Sequence, residues 1–276
     1  MPIHPRCIWL LPLGCCFAAG VADVSAAPLE GAHITHLVRE VRVGEPGVHD
    51  APASLYSIML DGALQTGLDS RAAITFNDRT VAHVGDKSQV TVHSGNRTFE
   101  LNDGAILTQV PKGVGRTELK SGAVTTAITG TTLLVEYQPD AYLKFVLLDG
   151  TARLCLKKPG HINDCVLLRA GQMLIAGPNA KRLPDAVDVD LTRLLETCHL
   201  ITDFPQLPGH GLLAKAASKQ RKRKSHGSYV DTNLVIFGRG TLVSLVDPKA
   251  ADKKADPAAA TPTPTPSADP ESMPVP

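Results

Sequence analysis

Few side chains in this sequence have the types and spacing that metal binding requires. His161 lies between Cys155 and Cys165, but zinc sites pair their ligands two to four residues apart, and this trio does not. His33 and His36 are three residues apart, and on a regular strand that spacing places them on opposite faces of the sheet. We therefore expect no metal site.

Four aspartates are the other candidates for chemistry, as general acids or bases. Each stands in a turn dipeptide, where a short acidic side chain usually bonds to nearby backbone: Asp61, Asp78, Asp103 and Asp149. The sequence contains neither Gly-x-Ser-x-Gly nor a glycine-rich phosphate loop ending in Lys-Ser or Lys-Thr. We therefore predict no catalytic residues and no cofactor. The alternative is a secreted enzyme whose site is scattered over loops and carries no motif.

The elements that position these side chains are predicted to be β-strands. Between residues 88 and 137, apolar and polar residues alternate with a period of two, which puts one set in a core and the other in water. Turn signals recur about every eight to ten residues, among them Gly95-Asn96, Asp103-Gly104 and Ser121-Gly122. This spacing predicts an all-β fold, either solenoid-like or a two-layer sandwich of short strands.

The same pattern predicts strands and hairpins outside that stretch. Residues 34–43 are expected to form a first strand, and Asp61-Gly62 a turn. Asp149-Gly150 is expected to join residues 143–148 and 151–156 in a hairpin, because Asp-Gly between alternating hydrophobics is a strong hairpin signal.

The three cysteines outside the N-terminal apolar segment have two predicted roles. Cys155 and Cys165 lie on strands 151–156 and 164–168, which the Pro159-Gly160 turn is expected to join. In an oxidising compartment they are candidates for a disulfide, the alternative being two free thiols. Cys198 is predicted to be a core residue.

Residues 188–198 are predicted to form one short amphipathic helix. Its apolar residues fall at positions i, i+3, i+4 and i+7: Leu191, Leu194, Leu195 and Cys198. Asp188 or Asp190 can cap it. We expect the apolar face to pack against an end or edge of the sheet, where unpaired strand groups need cover.

A basic run is the sharpest surface feature of the sequence. It contains six positive charges, from Lys215, Lys219, Arg221, Lys222, Arg223 and Lys224. The net charge of the chain is +1, and without these six residues it would be about −5. We interpret the run as a solvated linker; the alternatives are contact with an anionic envelope polymer or lipid headgroups, and nucleic acid binding. Nucleic acid is not expected, because no stacking aromatics lie nearby and the chain is predicted to be exported.

The predicted organisation has five parts. Residues 1–26 read as a cleaved signal peptide, with Arg6 before an apolar stretch and Val24-Ser25-Ala26 as the cleavage site; an uncleaved anchor is the alternative. The β domain with its closing helix follows (30–208), then the basic linker (209–228) and an added β segment (229–247). The tail (248–276) is rich in Pro, Ala and Thr and is predicted to be disordered. No transmembrane span is expected after signal cleavage. The signal peptide predicts that the protein is periplasmic or secreted.

Five short motifs between Gly67 and Gln172 resemble, in their order, those of the FecR-type domains of bacterial cell envelopes. They are Gly67-Leu68-Asp69-Ser70-Arg71-Ala72, the stretch 74–80, the Val-x-Thr…Gly-Thr segment 124–131, the stretch 147–152 and Leu168-Arg169-Ala170-Gly171-Gln172. The resemblance covers about 110 residues of the chain.

The resemblance implies an all-β envelope protein in a standalone secreted form, with no known catalytic residues to transfer. Well-known family members are periplasmic parts of sensors that pass a signal from a siderophore transporter to a sigma factor. The function expected here is a non-catalytic binding or scaffold module whose partner is an envelope protein or an anionic polymer. A sensor component of that signalling is the alternative.

Export gives a direct prediction about the mature chain. We expect it to begin near Ala27 and to contain no tryptophan, because Trp9 is the only one in the sequence. Intact mass should show the loss of residues 1–26, and the purified protein should emit as a tyrosine-only protein. A mature mass that retains those residues would reject export by cleavage.

Overall fold

The computed structural model describes residues 27–29, 31–44, 51–55, 58–59, 61–157, 164–223, 230–232 and 243–245. Several parts of the predicted organisation therefore lie outside the described residues. They are the signal peptide 1–26, the Pro159-Gly160 turn with His161, the end of the basic run, the middle of the added β segment and the tail 248–276.

Most of the described chain is β-structure, as predicted. The strands, in chain order, are β1 (Ala32–Val38), β2 (Val41–Gly44), β3 (Ala51–Pro52), β4 (Ile58–Met59), β5 (Asp61–Thr66), β6 (Arg71–Thr75), β7 (Val81–Val84), β8 (Gln89–His93), β9 (Thr98–Val110), β10 (Thr117–Ser121), β11 (Val124–Ile128), β12 (Thr131–Gln138), β13 (Tyr142–Asp149), β14 (Thr151–Leu156), β15 (Asp164–Arg169), β16 (Gln172–Ala176), β17 (Val187–Asp188), β18 (Val230–Thr232) and β19 (Val243–Leu245). The helices are α1 (Leu191–Thr197), α2 (His199–Thr202) and α3 (His210–Arg223).

Two sheets form a sandwich. Sheet A has the strand order β4-β1-β6-β7-β9-β12-β13-β16-β17. Sheet B has the order β3-β2-β5-β8-β9-β10-β11-β14-β15. These pairings are antiparallel except β9 with β10, which is parallel. The chain changes sheet repeatedly, so the two layers extend together.

Strand β9 belongs to both sheets. Its first half pairs with β8 and β10 in sheet B, and its second half pairs with β7 and β12 in sheet A. The change of sheet occurs at Gly104, whose φ is +87°, and Ser88 occupies the space that a Cβ there would need. The prediction of a turn at Asp103-Gly104 is therefore wrong: the dipeptide bends one strand and does not reverse the chain.

Asp149-Gly150 is likewise a corner between the sheets. Strand β13 pairs with β12 and β16 in sheet A, whereas β14 pairs with β11 and β15 in sheet B. The hairpin predicted between them is wrong, because Gly150 (φ +87°) turns the chain from one layer into the other.

The predicted first strand, 34–43, also divides between the layers. The backbone at Arg39 has φ +59°, so β1 enters sheet A and β2 enters sheet B. Asp61-Gly62 is not the predicted turn but the start of β5. The alternation of residues cannot distinguish these sheet changes from turns, because both interrupt it in the same way.

The main core lies between the two sheets. Leu64, Val92 and Leu154 come from sheet B, and Ile74 and Phe145 come from sheet A. The rings of Phe76 and Phe99 meet edge to face with their centroids 5.5 Å apart. Burying this apolar surface supplies the main driving force for the sandwich.

A second core lies on the other face of sheet A, beneath the helices. Leu107, Leu134 and Val146 project from the sheet, and Leu194 and Leu213 from α1 and α3. Sheet A is therefore buried on both faces. The helices pack on this face, so the prediction that they cover an end or edge of the sheet is wrong.

Helix α1 confirms the predicted short helix and its cap. The Asp190 carboxylate accepts hydrogen bonds from the backbone N–H groups of Thr192 and Arg193 at 3.0 and 3.2 Å, as an N-cap aspartate does. The predicted fold class, an all-β fold of short strands with a short helix after them, is confirmed, but two further helices, α2 and α3, follow α1 in the described residues and were not predicted.

Cys155 and Cys165 stand directly opposite each other on β14 and β15. Their Cα atoms are 4.1 Å apart and their sulfurs are joined in a disulfide, while Cys198 is a buried free thiol.

Thiol counting tests this arrangement. Unfolded, non-reduced protein is expected to show one reactive thiol outside the signal segment, Cys198. Closing a loop across ten residues should stabilise the fold by about 2–3 kcal/mol on the chain-entropy model. The double variant Cys155→Ser/Cys165→Ser should therefore melt earlier than wild type, and three free thiols in wild type would contradict the bridge.

Candidate functional site

The basic run forms most of helix α3, and α3 is fixed to the sandwich. Leu213 and Ala217 are buried in the second core. The exposed side chains of α3 lie on the opposite face of the helix. The interpretation of residues 209–228 as a solvated linker is therefore wrong for the helical part, because its inner face packs against sheet A and α1.

A glutamine of β9 holds the start of α3. The Gln109 side chain is buried; its Oε1 accepts a hydrogen bond from the backbone N–H of Gly209 at 2.8 Å, and its Nε2 donates to Thr132 Oγ1 at 3.1 Å. The same amide occupies the space that a Cβ at position 209 would need. The residue before the helix is thus tied to the middle of sheet A.

A second glutamine, within α3 itself, holds its other end. Gln220 Nε2 donates to the Val189 carbonyl at 2.6 Å and to the Gly171 carbonyl at 3.4 Å. Its Oε1 accepts from the backbone N–H of Leu191 at 3.1 Å. One side chain therefore links α3 to the start of α1 and to the corner between β15 and β16.

The two anchors set the direction of the helix. Residues 209 and 220 are about 16 Å apart along a helix axis. Residue 209 binds β9, and residue 220 binds Gly171, the residue before β16. Strands β12 and β13 lie between β9 and β16, so the two anchors are three strand spacings apart, about 14 Å in total. These lengths agree, so α3 runs across the strands of sheet A.

The outer face of α3 presents the basic side chains. Four of the six cations for which contact with an anionic partner was the alternative interpretation are exposed on it: Lys215, Lys219, Arg221 and Lys222. Three of these, Lys215, Lys219 and Lys222, are spaced i, i+4 and i+7 and form one stripe, and Leu212 begins it at 48% exposure. Arg223 ends the helix, and Lys224 lies outside the described residues.

A different polar group lies between sheet A and the helices. Lys144 and Glu136 are paired directly across β13 and β12 and form an ion pair, and Tyr142 donates its hydroxyl proton to the same carboxylate. The Lys144 side chain is 0% exposed. Burial lowers the pKa of its ammonium, while the charge of Glu136 opposes that change.

Cys198 lies in this layer too and is buried, as predicted. Burial raises the pKa of its thiol to about 12. The thiolate needed for nucleophilic or redox chemistry is therefore strongly disfavoured, and the residue serves as packing.

Two histidines also face the helices. His83 is buried; its Nδ1 lies 2.8 Å from the Leu200 carbonyl oxygen, and its ring stacks on Phe204 at 4.2 Å. Burial lowers its pKa to about 4, so the ring is neutral and its Nδ1–H donates to that carbonyl. His36 also contacts Phe204, with ring centroids 5.6 Å apart.

The structure corrects the expectation that His33 and His36 lie on opposite faces. The register of β1 against β6 shifts between Ile34 and His36, so that His33 pairs with Thr75 and His36 with Ala73. Because directly opposed residues share a face, both histidines lie on the outer face of sheet A. A bulge in the strand, which spacing alone does not show, moves them together.

The turn aspartates divide between local and distant roles. Asp78 accepts from the backbone N–H of Thr80 at 2.8 Å, as predicted, but also pairs with Arg97 at 2.6 Å. The Arg97 side chain is 2% exposed and also donates to the carbonyl of Ala27. Asp61 accepts from Ser94, thirty-three residues away, so its predicted local role is wrong. No group of three or more His, Cys, Asp or Glu side chains in the described ranges is arranged to hold a metal ion.

Asp86 is a buried carboxylate that the sequence did not single out. It lies in the corner between β7 and β8 and is 1% exposed. Neither carboxylate oxygen makes a hydrogen bond, although the backbone N–H of Asp69 lies close by. Burial raises the pKa of this carboxyl to about 6.

Sequence reasoning found the basic run but not what holds it. Neither Gln109 nor Gln220 belongs to a motif, and a lone glutamine in a strand or a basic helix carries no signal of a long-range contact. Glu136 and Lys144 could have been noticed as charges inside apolar runs. His83 lies between Ala82 and Val84 in the same way, whereas Asp86 lies between Gly85 and Lys87 and carries no such signal.

Residues 62–153 match the sequence model of the family described as FecR protein. The resemblance stated from the motifs is thus confirmed for that part of the chain. No curated protein matches the sequence. None of the helices in the described part of the chain has the length and apolar character to cross a bilayer.

Two crystal structures of a "putative anti-sigma factor" from Parabacteroides distasonis resemble this chain. One has 13% sequence identity and a TM-score of 0.42, covering 49% of this chain and 65% of that one. The other has 10% identity and a TM-score of 0.43, covering 68% of this chain and 100% of that one. Both TM-scores are below the level that establishes a common fold.

Asp86 gives a prediction about pH and stability. Its pKa is about 6 in the fold against an ordinary value of 3.8, so between these values the folded protein keeps a proton that the unfolded chain has released. The stability contributed by this group is therefore greatest below about pH 4, falls as pH rises to about 6 and stays low above it. The variant Asp86→Asn should be more stable than wild type at pH 7 and equal to it below pH 4.

The upper limit of the gain is about 3 kcal/mol for a shift of this size, and we expect roughly 1–2 kcal/mol because relaxation of the protein and penetration of water reduce the cost of a buried charge. Urea unfolding at pH 4 and pH 7 measures the difference. The exposed Asp140→Asn is the matched control and should show no such change with pH. A variant no more stable than wild type at pH 7 would contradict the penalty.

Proposed function

We propose that this chain, which carries a FecR-type segment, is a non-catalytic binding module of the bacterial cell envelope. Its basic helix α3 is the surface that binds an anionic partner, either an acidic envelope polymer or the headgroups of an anionic membrane. The predicted signal peptide and the FecR match support an envelope location.

The attachment of α3 to the sandwich is the observation that carries this proposal. A flexible run of lysines and arginines loses conformational freedom when it binds, and each long side chain adds to that cost. Here Gln109 and Gln220 fix the helix at both ends, and Leu213 and Ala217 hold its inner face. Folding has already ordered the backbone of the basic residues. Binding an anion therefore loses less conformational entropy than it would with a flexible run.

The charge distribution supports the same surface. None of the hydrogen bonds or ion pairs of the described residues uses Lys215, Lys219, Arg221 or Lys222 as a donor through its side chain. Exposed cations near an anionic surface contribute about 1 kcal/mol each. Four of them on one fixed helix therefore supply an attraction of roughly 4 kcal/mol, which salt weakens.

A binding role rather than catalysis is supported by where the titratable groups lie. The Lys144–Glu136 pair, His83 and Cys198 are buried between sheet A and the helices, where a substrate would have to displace the helical layer to reach them.

The second candidate function, a periplasmic component of siderophore and sigma-factor signalling, is favoured by the FecR match over residues 62–153. A secreted enzyme remains the third, and turnover of a substrate that a point change in residues 54–176 abolishes would establish it.

Neutralising the helix tests the proposal. The variant Lys215→Gln/Lys219→Gln/Arg221→Gln/Lys222→Gln should bind vesicles containing phosphatidylglycerol, and soluble polyphosphate, at least about tenfold more weakly than wild type at low salt. Wild-type binding itself should weaken as salt rises, because exposed charges are screened over about 8 Å at physiological ionic strength. Binding to the vesicles alone indicates a membrane partner, and binding to the polymer alone a polymeric one.

The matched control removes the same number of charges from another surface. Arg153, Arg169, Lys181 and Arg182 are exposed and do not lie on α3, so their replacement by Gln should leave binding close to wild type. Equal loss in both variants would show that net charge, not the helix, determines binding. Retention by the α3 variant equal to wild type would reject the proposed surface.

A further inference from the structure

Strand β15 leaves one edge of sheet B open. It pairs with β14 on one side; the next strand along the chain, β16, pairs with β13 and β17 instead, and no residue pairing among the described strands occupies the other side of β15. An open edge presents unpaired N–H and C=O groups to any chain that can form a strand. The sandwich therefore ends in a backbone surface that can accept a further strand.

The register identifies which groups of β15 face outwards. Cys155 and Cys165 are opposed with their Cα atoms 4.1 Å apart, the short separation of a non-hydrogen-bonded antiparallel pair. The backbone groups of Cys165, and of Leu167 two residues on, therefore point away from β14. The N–H of Arg169, on the same side, already donates to Gln172 Oε1 at 3.0 Å.

The exposed side chains of β15 lie at the same part of the open edge as these backbone groups. Leu167 is 52% exposed on the outer face of sheet B, beside the exposed Cys165. The beginning of the strand is closed off, because the Asp164 carboxylate accepts from the backbone N–H of Leu183 at 2.7 Å. The accessible part of the edge is thus centred on Leu167.

The chain leaves α3 next to this edge. Gln220 donates to the carbonyl of Gly171, and Gly171 lies two residues beyond the end of β15. Arg223, the last residue of α3, is about 4.5 Å further along the helix axis. The following segment therefore starts near the C-terminal end of β15.

The following segment forms strands of its own. Val230–Thr232 (β18) pairs with Val243–Leu245 (β19) in a separate two-stranded sheet. Isolated two-stranded sheets are marginally stable in water. Seven residues from Arg223 to Val230 span at most about 25 Å, and β15, with six residues, is about 20 Å long, so β18 can reach any part of the open edge.

We propose that the β18–β19 pair docks on the open edge of β15 and extends sheet B. A strand that starts beside the end of β15 and runs back along it is antiparallel to it, so β18 is the strand in contact and β19 the outermost one. Docking pairs the backbone of Leu167 and turns a marginal two-stranded sheet into part of a larger one. The same edge is then unavailable to other chains, and this inference does not depend on the function proposed for α3.

Amide hydrogen exchange on the full mature chain tests the docking. The Leu167 amide should exchange at least about tenfold more slowly in wild type than in Asp231→Pro, because proline removes a donor from β18 and disrupts its pairing. The amides of β16, in sheet A, should exchange equally in both proteins and show that the sandwich is intact. Ala259→Pro, in the tail, is the matched control and should behave as wild type.

Two outcomes would overturn the proposal. Equal exchange of the Leu167 amide in wild type and Asp231→Pro means that β18 does not cover the edge. Protection of that amide that disappears on tenfold dilution, with a dimer in size-exclusion chromatography, means that a second copy of the chain covers it instead.

Discussion

The sandwich depends on the passage of one strand from one sheet to the other. β9 is the only strand of the described residues that pairs in both layers. Its bend requires the positive φ of Gly104, and a side chain there would overlap Ser88. The hydroxyl of Ser88 in turn accepts from the Ala105 N–H at 2.9 Å. Backbone freedom at a single glycine thus aligns the two halves of the fold, and the strands that follow extend both sheets from that point.

Local patterning predicted where strands lie, but not which sheet they enter. Alternation identified β14 to the residue and β13 and β15 within one residue at each end. It failed at the corners because a positive φ is required equally by a hairpin turn and by a change of layer, so Asp103-Gly104 and Asp149-Gly150 look alike in sequence. Strand β13 carried a signal that alternation overlooks: Phe145–Leu148 is continuously apolar, which is typical of a strand buried on both faces.

The sequence predicted which basic residues belong to the candidate site, but not that they form a helix fixed to sheet A. A helix with only Leu213 and Ala217 buried has too few apolar positions to show a clear stripe, and its basic residues resemble a solvated segment. The contacts that order it are side-chain amides reaching backbone 31 and 100 residues away. Such contacts depend on how the chain folds back on itself, which no local pattern contains.

The helical layer has polar as well as apolar attachments to sheet A. The Arg71 guanidinium pairs with Asp203 at 2.6 Å, and His83 binds the Leu200 carbonyl. The Lys144–Glu136 pair lies beneath the same layer. A buried ion pair contributes little net stability, but losing one partner is costly because the other charge is left in an apolar environment. A shift of the helices would leave such groups exposed or unpaired, and this fixes the layer, including α3, in one position.

The position of α3 separates its cations from the acidic residues of sheet B. The acidic residues Glu100 and Glu118 lie on the outer face of sheet B, with two sheets between them and the helix. Sheets in a sandwich are about 10 Å apart, and a packed helix adds a comparable distance, so roughly 20 Å separates the two surfaces. That distance is more than two screening lengths at physiological salt. An anionic partner on the helix side therefore meets the cations of α3 far from the carboxylates of sheet B, although those of the helical layer, such as the exposed Glu196 of α1, lie on the same side.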